Sequence, residues 1–158
     1  MKKVIVIGGG ASGLMAAGIA GKNADVLVLE KNDRVGRKLA ITGKGRCNVT
    51  NSADISEFIE NTPGNGRFLY SAFYSFTNDD TINFFNKLGV ETKVERGGRV
   101  FPVSDSAKDI VNALSRVLRE NNVKIRYNVV AKEVITENGK VASRFLPDDF
   151  LNPVYSIL

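Results

Sequence analysis

Apolar runs and amphipathic stretches alternate along this chain, and their order predicts its elements. Val4-Ile5-Val6-Ile7 is a continuous β-branched run, the pattern of a central parallel strand buried on both faces. Small and apolar residues at helical spacing follow in LMAAGIAGK, and Ala24 to Glu30 then reads as a second strand that ends in an acid. Further on, residues 54–61 and 67–88 have helical patterning. Phe68, Leu69, Ala72, Phe73 and Phe76 form an apolar stripe there that reads as core. Val90–Glu95 and Arg99–Phe101 read as strands around an Arg96-Gly97-Gly98 turn. Ser106 with Asp109 marks a helix start, and Ile110, Val111, Leu114, Val117 and Leu118 face inward along a helix that runs to about Glu120. Val123–Arg126 follows as the third parallel strand, and Val129–Thr136 with Val141 makes a hairpin across Asn138-Gly139.

The first thirty residues make a complete βαβ unit. Gly8, Gly10 and Gly13 join strand to helix in the order G-x-G-x-x-G, so Ala11 and Ser12 open the helix. Gly8 permits the tight turn, Gly10 lets a diphosphate approach the backbone, and Gly13 lets the helix lie close to the sheet. The helix N-terminus offers unpaired N–H groups and the positive end of its dipole to the phosphates. Glu30, twenty positions beyond Gly10, is placed to accept from both ribose hydroxyls, and its charge disfavours a 2′-phosphate. Glycines, strands, helix and acid in register specify an ADP-containing dinucleotide. They leave open whether it is NAD or FAD.

Composition narrows the chemistry. At 158 residues, 43% hydrophobic and 25% charged, the chain has the make-up of a soluble globular protein. It contains no histidine, so a histidine-based triad and a histidine-containing metal site are excluded, and no metal is expected. Cys47 is the sole cysteine, which excludes an internal disulfide and fits a reducing, cytoplasmic setting. In that setting the sequon Asn48-Val49-Thr50 carries no glycan. Lys2-Lys3 before an uncharged run resembles a signal peptide or membrane span, but Gly8-Gly9-Gly10 breaks it where it should be most apolar.

Net charge is +5, and Lys31, Arg34, Arg37, Lys38, Lys44 and Arg46 crowd one segment. The Gly43-Lys44-Gly45 sequence is not a phosphate loop of the Walker type, because six residues separate Gly36 from Gly43 and Lys44 precedes a glycine. It is a cationic, glycine-rich track directly after the ribose-binding acid. Arg37 and Lys38 are placed to offset a diphosphate, with Lys31 beside Glu30. That assignment uses the densest basic cluster and sets nucleic acid aside as a partner. Cys47 has two readings, a thiol activated by Arg46 or a small buried residue; with no second cysteine and no histidine base, burial is preferred.

RVGRKLAITGKGRCNVTN and, later, GGRVFPVSDSA resemble two segments of the aminoacetone-oxidase-like, or BaiN-like, flavoproteins, and Gly8, Gly10, Gly13 and Glu30 complete the match. The resemblance covers roughly residues 1–141. It implies an α/β, Rossmann-like FAD-binding fold of three layers, with a parallel sheet and a β-meander. A helical and stranded excursion occupies about 54–103. The implied activity is FAD-dependent oxidation or reduction through flavin N5, with NAD(P)H or an organic small molecule as the other reactant. Thr42 through Asn48 would then run beside the flavin, and backbone at Ala131, or Val130 beside it, would meet adenine. No catalytic residue is implied. Residues 142–158, ASRFLPDDFLNPVYSIL, lack the motifs that a family member would carry next. They read as an atypical tail after a domain cut before its substrate domain, so the sheet is expected to lack strands. The competing reading is a non-catalytic fragment with weak FAD binding or none.

Overall fold

The computed structural model describes residues 1–131, 134–137, 140–141 and 155–157. In chain order the regular elements begin with β1 (Lys2–Ile7), α1 (Ala11–Ala20), β2 (Ala24–Leu29), β3 (Thr50–Asn51) and α2 (Ile55–Glu60). They continue with α3 (Tyr70–Ser75), α4 (Asn78–Lys87), β4 (Thr92–Val94), β5 (Arg99–Pro102) and α5 (Ala107–Glu120). The last are β6 (Lys124–Arg126), β7 (Thr136–Glu137), β8 (Lys140–Val141) and β9 (Tyr155–Ile157). The chain divides into two compact units, one of residues Met1–Leu39 with Leu114–Leu158 and the other of Ala40–Ala113. No helix among the described residues is long and apolar enough to cross a membrane.

The first unit is built on a six-stranded sheet of order β6-β2-β1-β9-β8-β7. β1 and β2 run parallel from Lys2 opposite Ala24 to Ile7 opposite Leu29, and β6 extends the sheet in parallel beside β2. Val4, Ile5 and Val6 are buried as expected, and so are Val26, Leu27 and Val28 of β2, but Ile7, the last residue of the β-branched run, is exposed where β1 enters the glycine turn. Each buried side chain contributes about 1.5–3 kcal/mol on leaving water. α1 offers Gly18 to α5: a Cβ there would come within 2.9 Å of the Val117 side chain, which therefore lies directly on the α1 backbone. Asn121 Nδ2 seals that contact by donating to the Gly18 carbonyl at 3.1 Å.

β7 and β8 form the expected hairpin in part, with Thr136 opposite Val141; the residues between its strands lie outside the described set. Most of the stretch read as a tail, residues 142–154 and 158, also lies outside it. Tyr155–Ile157 does not: it forms a strand, an element not expected in that stretch. β9 runs parallel to β1, with Lys3 opposite Tyr155, and antiparallel to β8. Three residues of ordinary β-propensity suffice because both neighbours supply ladder hydrogen bonds.

The second unit holds a three-stranded antiparallel sheet, β3-β5-β4, with Val100, Phe101 and Pro102 of β5 buried. The strands around the Arg96–Gly98 turn are those expected. The helix expected over 67–88 is not continuous. A 3-10 turn at Gly66–Leu69 leads into α3, Phe76 is extended, and Thr77 starts α4 with a capping box in which its side chain and that of Asp80 serve each other's backbone. The apolar stripe counted across that break is therefore not core. Phe68 is 81% exposed and Phe76 44%, while Phe73 meets Phe58 edge-to-face and Phe85 is the buried aromatic of α4.

Candidate functional site

In the first unit the β1–α1 turn, the end of β2 and the loop after it converge. Gly8 leaves β1 at φ 98° and its N–H donates to the Leu29 carbonyl at 2.8 Å, which ties the turn to β2. Gly13 packs so closely beneath that a Cβ would fall on the Gly8 carbonyl oxygen. Gly10 faces open space, with nothing within 4 Å of where its Cβ would be. It caps α1 without any side-chain hydrogen bond, and Ala11 and Ser12 are exposed beside it. The first N–H groups of α1 thus stand at an open surface, and the positive end of the helix dipole with them.

Glu30 is the one buried charged residue among the described core positions, at 6% exposure. Gly9 N–H donates to its Oε2 at 2.6 Å; Asn32 donates to Oε1 twice, from its backbone at 2.8 Å and its side chain at 2.6 Å. Burial raises the carboxyl's pKa, but those three hydrogen bonds and the nearby Lys31 charge outweigh it and hold the group below its ordinary value. Arg37 Nη1 donates to Asn32 Oδ1 at 3.0 Å, which continues the chain of contacts outward. The loop is fastened by Gly36 N–H on the Gly9 carbonyl at 2.7 Å. Asn128 and Val129 fasten it from beyond β6, on the carbonyls of Asn32 and Glu30.

The sequence therefore named Glu30, Gly8, Gly10 and Gly13 but missed Gly9 and Asn32, the two residues that hold the carboxylate. Gly9 had a signal: it sits between fingerprint glycines, and a Cβ there would come 2.5 Å from Val35 and 3.1 Å from Glu30. Lys31 and Lys38 are exposed, and Arg37 is committed to Asn32. Val130 and Ala131 are both exposed; their neighbour Val129 packs on Ile5, Leu27 and Leu29.

Thr42 and Asn48 belong to the second unit. There Gly43, Lys44, Gly45 and Cys47 all adopt positive φ, so the track coils tightly on itself, with Cys47 N–H donating to the Thr42 carbonyl at 3.0 Å. Asn48 Nδ2 donates to the carbonyls of Thr50 at 2.9 Å and Val100 at 3.1 Å, which ties the end of the track to β5. Cys47 is 1% exposed, and burial raises its thiol pKa despite a hydrogen bond with Thr42, the opposite of an activated nucleophile. Arg46 leaves the cationic cluster. It pairs with Glu95 at 2.8 Å and Asp105 at 3.2 Å and stacks 4.1 Å above the Phe101 ring, while Lys93 pairs with Asp105 at 2.7 Å.

Residues 2–148 match the family described as the HI0933-like protein Rossmann domain. The chain belongs to this family. It is the group whose basic and glycine motifs the sequence resembled. The HI0933-like chain is 38% identical over 144 residues to a 3-dehydro-bile acid delta(4,6)-reductase of Clostridium scindens, a match that covers 89% of this chain and 34% of that protein. It is 34% identical over 124 residues to a ribosomal RNA dihydrouridine synthase of Escherichia coli, with 77% and 30% covered. The chain thus spans about a third of the length of the curated relatives it matches. Among solved structures, the 3-ketosteroid-delta4-(5alpha)-dehydrogenase of Rhodococcus jostii superposes with a TM-score of 0.64 over 89% of this chain and 41% of its own; at 16% identity it shows the shared Rossmann-type fold.

Proposed function

We propose that this chain is the FAD-binding part of a cytoplasmic flavin-dependent oxidoreductase. The observation that carries the reading is Glu30: a buried carboxylate, kept ionised at the end of β2, beside a glycine turn open at Gly10. The residues suit the ADP half of FAD. The N–H groups at Gly10, Ala11 and Ser12 would take the diphosphate, with Arg37, Lys38 and Lys31 lowering its charge. Oε2 of Glu30 would accept a ribose hydroxyl, and backbone at Ala131 would meet adenine. Thr42 and Asn48 would serve the isoalloxazine end, by family resemblance. When bound, FAD supplies hydride transfer at N5, with NAD(P)H or an organic substrate as the other reactant.

The substrate class we infer is a small molecule with a carbon–carbon double bond conjugated to a carbonyl. The names of both relatives support this, since a delta(4,6)-reduction in a 3-dehydro steroid and the saturation of uridine act on such bonds. Uridine in RNA is the second reading, favoured by the dihydrouridine synthase relative. Titration of the purified chain with FAD tests the main reading. A bound-flavin absorption band and a rise in melting temperature are expected, because a ligand selective for the native state stabilises it. A chain that neither melts higher nor retains the band refutes it. A salt-sensitive gel shift with ribosomal RNA would favour the second reading.

A further inference from the structure

The Glu30 carboxylate is nearly used up by the protein itself. Its two oxygens offer about four acceptor sites. Two on Oε1 are taken by Asn32, through its backbone and side-chain N–H groups, and one on Oε2 by Gly9. One site is left, on a carboxylate only 6% exposed. A carboxylate that receives both hydroxyls of a ribose needs two. The orientation of the Asn32 amide is also fixed. Arg37 can only donate, so it must face Oδ1, and Glu30 can only accept, so it must face Nδ2.

We propose that Asn32, oriented by Arg37, is a specificity-determining residue that restricts Glu30 to a single ribose hydroxyl of the bound nucleotide. The inference rests on the adenine-dinucleotide reading above and refines it. The recognised ligand is an adenosine diphosphate whose two ribose hydroxyls count unequally, one held by Oε2 and the other spare. Removing the Asn32 side chain leaves its backbone N–H on Oε1 and frees a second acceptor site there. The carboxylate of that variant can then accept both hydroxyls. Arg37→Met acts in the same direction more weakly, since Asn32 keeps its Nδ2 but loses the partner that fixes it.

The test is isothermal titration of the full 158-residue chain with ADP, 2′-deoxy-ADP and 3′-deoxy-ADP, with thermal melts to show that each variant is folded. For the unaltered chain, one deoxy analogue is expected to bind about tenfold more weakly than ADP and the other within about twofold, since a hydrogen bond to a charged group is worth about a factor of ten or more. In Asn32→Ala both analogues are expected to fall about tenfold below ADP. If that variant does not fold, Arg37→Met is read instead and must narrow the difference between the analogues. A merely structural role for Asn32 would weaken all three ligands together and leave their ratios unchanged, which overturns the proposal. Equal losses for both analogues in the unaltered chain overturn it as well while leaving the nucleotide site standing. Absence of ADP binding overturns both.

Discussion

Two groupings of charge, one in each unit, are built on opposite plans. In the first, a lone carboxylate, Glu30, is held by neutral N–H donors from Gly9 and Asn32. In the second, Arg46 and Lys93 meet Glu95 and Asp105, and the four charges cancel. Neutral donors stabilise an anion without consuming its charge, so the first grouping still presents a net negative group and a free acceptor site. The second is closed. Its cations and carboxylates satisfy each other, and Phe101 covers the guanidinium. A sequence rich in arginine and lysine does not distinguish these cases, whereas the identity of the partner does. The first plan suits a ligand site, and the second suits a brace that holds the glycine track to the sheet of its own unit.

Breaking the first grouping has the largest expected effect. Gly13→Ala puts a methyl group on the Gly8 carbonyl, where only backbone movement can make room, and about 3 kcal/mol of stability is expected to be lost by urea denaturation. Glu30→Gln is expected to cost about 2 kcal/mol, because the new amide must turn an N–H toward the donors of Gly9 or Asn32 and leave one of them unpaired. It also sharpens the comparison through pH. Glu30 is held below its ordinary pKa near 4.5, so its contribution is complete above that value and is lost as pH falls through the lower folded one. Melts recorded downward from pH 5 should show wild type losing stability over that interval more steeply than Glu30→Gln.

Arg46→Met tests the second grouping. Its partners, Glu95 and Asp105, are 27% and 43% exposed, so the loss is expected to be smaller than for Glu30→Gln and to shrink in 1 M salt, where ion pairs are screened. The Glu30→Gln loss, which is made of hydrogen bonds, should persist at the same salt concentration. Phe68→Ser is the smallest change. At 81% exposure its effect on the urea midpoint should stay within about 0.5 kcal/mol, whereas a core phenylalanine would cost several times more.

What the sequence revealed and what it hid divide by sequence distance. The βαβ unit was legible because strand, glycines, helix and acid are all local patterns within the first thirty residues. The partners of Arg46 were not, since Glu95 and Asp105 lie 49 and 59 positions away. Asn32 was hidden for a different reason: an asparagine after a strand reads as a turn residue, and its task depends on Arg37 fixing one of two amide orientations. The single helix over 67–88 was misread although the Thr77–Asp80 capping box was visible, and the stripe failed because its two ends, Phe68 in a 3-10 turn and Phe76 in extended backbone, do not share one α-helix. β9 had no motif at all. Tyr155–Ile157 is a strand because β1 and β8 lie on either side of it.

That last pairing also bears on how the chain is made. Lys3 and Tyr155 are 152 positions apart, so one long edge of β1 has no partner while the intervening chain is synthesised. At about 5–20 residues per second that interval is roughly 8–30 s. Through it the apolar strand Val4–Val6 can be covered on the β2 side alone, and its other edge is a template for a second nascent chain. Expression at lower temperature, or with chaperones that hold strand edges apart, should therefore raise soluble yield more than any change to the glycine turn.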